Sequence, residues 1–142
     1  MAGCGPRYTV VEPPARPFAE FGSLEVKDVE LLDKKAPKDF KDFAIWLTRN
    51  ARHRLGGRFS GTGPKLVVTL TLDPSGLREQ AGGLITTRWE GVAALNAAFF
   101  TEQGASVARV ACHAEPAKGG QLGPAGDRLL DDLLDFLASP TR

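Results

Sequence analysis

Residues 65–72 read Lys-Leu-Val-Val-Thr-Leu-Thr-Leu, so Leu66, Val68, Leu70 and Leu72 fall on every second position. Successive strand side chains point to opposite faces, which puts four large aliphatic groups on one side and Val67, Thr69 and Thr71 on the other. A sheet with such a face needs a cover. Two segments can supply it. Phe40, Phe43, Ala44, Leu47, Ala51 and Leu55 recur at helical spacing, with Asp39 as N-cap and Gly56-Gly57 as the stop. Near the far end, Asp127 reads as the cap of a helix with Leu129, Leu130, Leu133, Leu134 and Leu137 on one face, and Pro140 lies beyond it. Both leucine faces need a common apolar floor, and only a sheet is large enough to provide one.

The remaining strands are weaker in pattern. Ser23–Leu32 is rich in β-formers, but Leu24 and Val26 fall on one face and Val29 and Leu31 on the other. That switch predicts a bulge near Lys27-Asp28. Asp73–Gly83 holds Pro74, Gly76 and Gly82-Gly83 and reads as a loop, with Leu84–Trp89 as strand after it. Glu90–Phe100 is ambiguous: its alanines favour helix, whereas the glycine turn at Glu102-Gln103-Gly104 and the following Ala105–His113 favour a hairpin. Pro116–Gly126, with four glycines and two prolines, reads as loop.

Length and charge narrow the function classes. At 142 residues the chain is one domain. Its net charge of +1 argues against a nucleic-acid partner, because phosphate contacts need a basic excess. No apolar run approaches the roughly 20 residues that span a bilayer.

The chain opens Met1-Ala2-Gly3-Cys4-Gly5. Small residues directly before a cysteine resemble the lipobox of bacterial lipoproteins, in which the thiol takes the lipid. Residues 1–4 would then be the remnant of a signal peptide and Cys4 the lipidation site. The basic and apolar regions of such a signal are absent, so a cytosolic protein starting at Met1 stays open. Residues 5–17 contain Pro6, Pro13, Pro14 and Pro17 and read as an extended tether. Tyr8–Val11 within them has the alternative of an edge strand. Residues 18–142 are expected to form the domain proper.

The order strand, helix, three strands, helix resembles the 4410 family of domains of unknown function, a group of small bacterial lipoproteins. The resemblance rests on Phe21-Gly22-Ser23-Leu24-Glu25-Val26, Lys65-Leu66-Val67-Val68-Thr69-Leu70, the span from Gly91 to Val110 and Leu133-Leu134-Asp135-Phe136-Leu137. The run His53–Pro64 has no place in that pattern. The resemblance implies an envelope lipoprotein with no established activity, and it favours the hairpin through Glu90–Ala114. The expected fold is therefore α+β: a mostly antiparallel four- to five-stranded sheet with two helices packed on one face.

Catalytic signatures are not found. Gly57–Lys65 superficially has the look of a phosphate loop, but Pro64 precedes the lysine and a strand follows it where a helix is needed. Two histidines and two cysteines lack metal-ligand spacing, and adjacent Cys112 and His113 point to opposite strand faces. Cys112 reads as a small core residue. No Ser or Cys sits in a nucleophile-elbow pattern, and Asp127, Asp131, Asp132 and Asp135 read as a solvated helical face. The expectation is a protein without catalytic residues, metal or cofactor.

Charge asymmetry supplies the candidate contact. Lys34–Arg58 has eight basic residues against two acids, whereas Glu115–Asp135 has five acids against two bases. Arg49, Arg52 and His53 share a helical face, and Arg54 and Arg58 extend the basic run. These five residues are the candidate contact for anionic headgroups or an acidic envelope protein. The resulting expectation is a non-enzymatic envelope adaptor or assembly module, lipid-anchored at Cys4. Gly5, where an Asp would retain it, resembles lipoproteins sent to the outer membrane, facing the periplasm. A cytosolic small-ligand-binding module is the alternative, and a small hydrolase comes last.

Overall fold

The computed structural model describes residues 8–59, 61–80, 88–116 and 120–138. Cys4 and Leu84–Thr87 lie outside them. The main sheet takes strands β1 (Tyr8–Glu12), β2 (Ser23–Val26), β3 (Glu30–Leu31), β4 (Lys65–Asp73), β7 (Ala93–Thr101) and β8 (Ser106–Ala114), ordered β1-β8-β7-β4-β2 with β3 also on β4. Strands β5 (Leu77–Glu79) and β6 (Trp89–Gly91) form a small second sheet. Helices α1 (Lys38–Gly56) and α2 (Leu122–Ala138) complete an α+β fold.

The alternation in β4 sets the layers. Leu66, Val68, Leu70 and Leu72 are buried, and antiparallel pairing aligns Val68 with Phe99, Leu70 with Ala97 and Leu72 with Leu95. The next pairing continues this floor through Cys112 and Val110 of β8. On it α1 lays Phe40, Phe43, Ala44, Leu47, Ala51 and Leu55, and α2 lays Leu129, Leu130, Leu133, Phe136 and Leu137. Burying such side chains is worth about 1.5–3 kcal/mol each, which is why the periodicity and not local propensity decides the fold.

The hairpin forms as expected, β7 to β8 through Glu102–Gly104. The bulge is also present: Val26 pairs with Val68 and Glu30 with Thr71, so the edge takes four steps where β4 takes three. The extra residue returns Leu31 to the core side, opposite Leu72. These two edge pairings are parallel and the other main-sheet pairings antiparallel, so the sheet is mixed and, among the described residues, has six strands, more than four or five.

Five local expectations need correction. The segment read as tether contains β1, which pairs antiparallel with β8; the β-formers Tyr8–Val11 outweigh the prolines that follow. The ordered body thus reaches back beyond Phe18. The stretch read as loop contains β5, and Trp89 pairs there and not in the main sheet. Pro37 holds the N-cap position of α1, and Asp39 lies inside its first turn. Helix α2 starts at Leu122, upstream of Asp127, with Pro124 in its first turn where a missing N–H is tolerated. Asp132 is buried and not on a solvated face, because it stands one turn from both Leu129 and Phe136.

Candidate functional site

Helix α1 and the β2–β3 edge enclose a groove of about 410 Å³. Its depth comes from the bulge, which leaves Asp28 and Val29 outside the ladder. Thr48 closes the bottom: its buried hydroxyl accepts the Val29 N–H at 2.9 Å and donates to the Ala44 carbonyl at 2.9 Å. Val29, Leu31, Ala44 and Ile45 line it, and Lys41, Arg49 and the Arg52–Asp28 ion pair surround it. Ile45 is 52% exposed and nearby Leu32 62%. The groove is thus apolar with a basic rim, a chemistry suited to an acidic or amphipathic protein segment.

The five basic residues singled out by sequence separate into four groups. Arg52 holds the edge together, donating Nε to the Val26 carbonyl at 3.1 Å and Nη2 to Asp28 at 2.8 Å. Arg49 is exposed on the rim, and no side-chain partner is present for it among the described residues. Arg54 faces the other way and ties α1 to α2 through Asp127, at 3.4 Å, and Asp131. His53 and Arg58 are exposed and do not line the groove. Sequence reasoning missed Ile45 and Leu32. Ile45 carried a signal, as an aliphatic residue off the buried stripe of α1.

At the opposite edge of the sheet, β1 presents Val10 and Val11, 44% and 60% exposed. Tyr8 anchors this strand by an edge-on contact with Phe136, ring centroids 5.6 Å apart. Glu12 pairs with Arg109 at 2.9 Å.

Three titratable groups away from the groove have shifted pKa values. Glu25 is held at a pKa of about 2 by hydrogen bonds from Lys27 and Lys65, and the same contact raises Lys65. Cys112 is buried with its thiol pushed up to about 12, chiefly by burial and then by the nearby Asp132 carboxylate. Among the described residues no three His, Cys, Asp or Glu side chains group as metal ligands would, and no helix is long and apolar enough to cross a membrane.

No protein-family model matches the sequence, and no curated protein matches it. Among solved structures, the chain is similar to a PelC dodecamer from Paraburkholderia phytofirmans, a single-substitution variant of that protein. The two share 15% identity over 94% of this chain and 99% of that one, with a TM-score of 0.61. A putative neuraminyllactose-binding hemagglutinin homolog from Helicobacter pylori aligns at 10% identity over 89% of this chain and 82% of that one, with a TM-score of 0.31. The first likeness shows a shared fold.

Proposed function

We propose that this chain is a non-enzymatic assembly module of a bacterial cell envelope, lipid-anchored at Cys4, whose copies join head to tail through the two edges of the sheet. The observation that carries this reading is where the four most exposed large aliphatic side chains among the described residues fall. Val10 and Val11 lie on the β1 edge, whereas Leu32, just past β3, and Ile45, on α1 where it lines the groove beside the β2–β3 edge, lie at the far end of the strand order. A free, apolar edge strand is a template for another chain. A patch at one end that fits a different patch at the other makes a heterologous contact, and such contacts close into rings when the rotation allows. The solved form of the PelC fold neighbour is a dodecamer, which supports closure.

The envelope assignment rests on Met1–Gly5 and on the resemblance to the 4410 family of domains of unknown function. An envelope protein gathered by the assembled ring is the proposed partner.

Sedimentation and native mass of the detergent-extracted full chain test the reading. A mass that is a multiple of the chain is expected, and Val11→Glu and Ile45→Glu each return it to monomer with an unchanged circular dichroism spectrum. A monomeric wild-type protein refutes the assembly. A lipid-sized shift on the N-terminal peptide supports the anchor. An unmodified peptide starting at Met1 from soluble protein refutes it and favours the cytosolic ligand-binding alternative.

A further inference from the structure

A second cleft, of about 330 Å³, opens where α1 and α2 begin. Asp39, Asp42, Phe43 and Trp46 line it from α1, spaced three, four and seven residues from the first, so one helical face supplies two carboxylates and two rings. Trp89 of β6 supplies a third ring.

Each wall is fixed by its own contact. Trp89 is buried, packs on Phe40 with centroids 4.4 Å apart, and donates its indole N–H to Asp39 Oδ2 at 3.2 Å. Its backbone N–H donates to the Gly120 carbonyl at 2.9 Å, which pins the segment entering α2. Gly120 has φ +75°, and a Cβ there would stand 2.6 Å from Arg88 Cβ and 2.8 Å from Trp89 N, so only glycine fits. Trp46 stacks on Phe43, centroids 6.2 Å apart and planes at 27°. Gly126 of α2 packs against both of these rings.

The polarity of the cleft selects its ligand. Asp42 is exposed and makes no ion pair or side-chain hydrogen bond among the described residues, and Asp39 has no cationic partner there. Helix N-termini favour anions, but here two carboxylates stand in the mouth and repel them. Carboxylates beside indole faces are the environment that attracts an organic cation, through charge and through the ring quadrupole. The volume lies at the low end of small-ligand sites, enough for one side-chain-sized group.

We propose that this cleft binds an organic cation, an ammonium or guanidinium group carried on a short apolar stem. Asp39 and Asp42 neutralise its charge, and Trp46 and Trp89 cover its stem.

The chain has two tryptophans, both in the cleft, so the two indole N–H signals in a proton–nitrogen correlation spectrum of the full chain report on it directly. The probes are N-acetyl-arginine amide and N-acetyl-lysine amide, with neutral N-acetyl-citrulline amide as the control. Saturable shifts of both indole signals are expected with the cations and not with citrulline. Asp42→Asn, on an exposed position whose thermal melt stays unchanged, weakens binding about fivefold. Equal shifts with citrulline, no saturation at large excess of either cation, or undiminished binding by Asp42→Asn would each overturn the proposal. Spermidine and an arginine-containing tetrapeptide identify the source: the tighter of the two marks a free polyamine or a protein side chain.

Discussion

Two glycines of α2 three residues apart, Gly123 and Gly126, are predicted to respond to alanine with opposite signs. A Cβ at Gly123 meets nothing within 4 Å. Gly123→Ala narrows the unfolded ensemble without a clash and stabilises by about 0.4–1 kcal/mol. A Cβ at Gly126 falls inside the contact distance of Trp46 Cζ3 and stands 2.8 Å from Phe43 Cε1. Phe43 is buried and cannot retreat, so overpacking costs about 1–3 kcal/mol. The gain in helix propensity returns about 0.8–1 kcal/mol, leaving Gly126→Ala destabilised by roughly 1 kcal/mol. The two variants differ by about 2 kcal/mol, or roughly 4–8 °C in Tm at this chain length. Differential scanning calorimetry measures the melts, and tryptophan emission reports the displaced Trp46. Shifts of the same sign in both variants would refute the reasoning, because the close crossing of α1 and α2 would then not depend on a missing side chain.

Three further outcomes follow from single contacts. Arg54→Ala unties α1 from Asp127 and Asp131 and lowers stability by about 1 kcal/mol, whereas Arg49→Ala stays within about 0.5 kcal/mol; urea titration separates them. The pKa of Glu25 is lowered in the folded state, so its stabilising share is present above the unfolded value of 4.5 and is lost as pH falls toward 2. Glu25→Gln therefore flattens stability against pH in that window, read from melts at several pH values. Cys112 resists a thiol reagent at pH 8 in the folded protein and reacts at once in denaturant, because burial keeps the thiol protonated.

The layers of this fold are legible in the sequence because they follow side-chain period. The alternation of Leu66–Leu72, the stripe from Phe40 to Leu55 and the change of face after Val26 each correspond to an observed element. β1 is obscured because its β-formers sit among prolines, and pairing with Val110 and Cys112 decides the outcome. Residue type alone makes Asp39 a cap, but its partner Trp89 is fifty positions away. Distance in sequence also hides the roles within the basic run. Arg52 finds Asp28 and Arg54 finds Asp127, and no local pattern separates those two from Arg49. Asp132 is a different case, since its place beside Leu129 and Phe136 on a helical wheel marks it as buried.

Disulfide trapping in native membranes tests the proposed head-to-tail assembly most directly. Val11→Cys places a thiol on the β1 edge and Ile45→Cys places one on α1 beside the β2–β3 edge, both at positions that are exposed in the single chain. Oxidation of the double variant is predicted to give a ladder of cross-linked multimers, while each single variant stays monomeric on a non-reducing gel. The absence of a ladder, or a dimer formed by Val11→Cys alone, would contradict a heterologous contact between opposite edges.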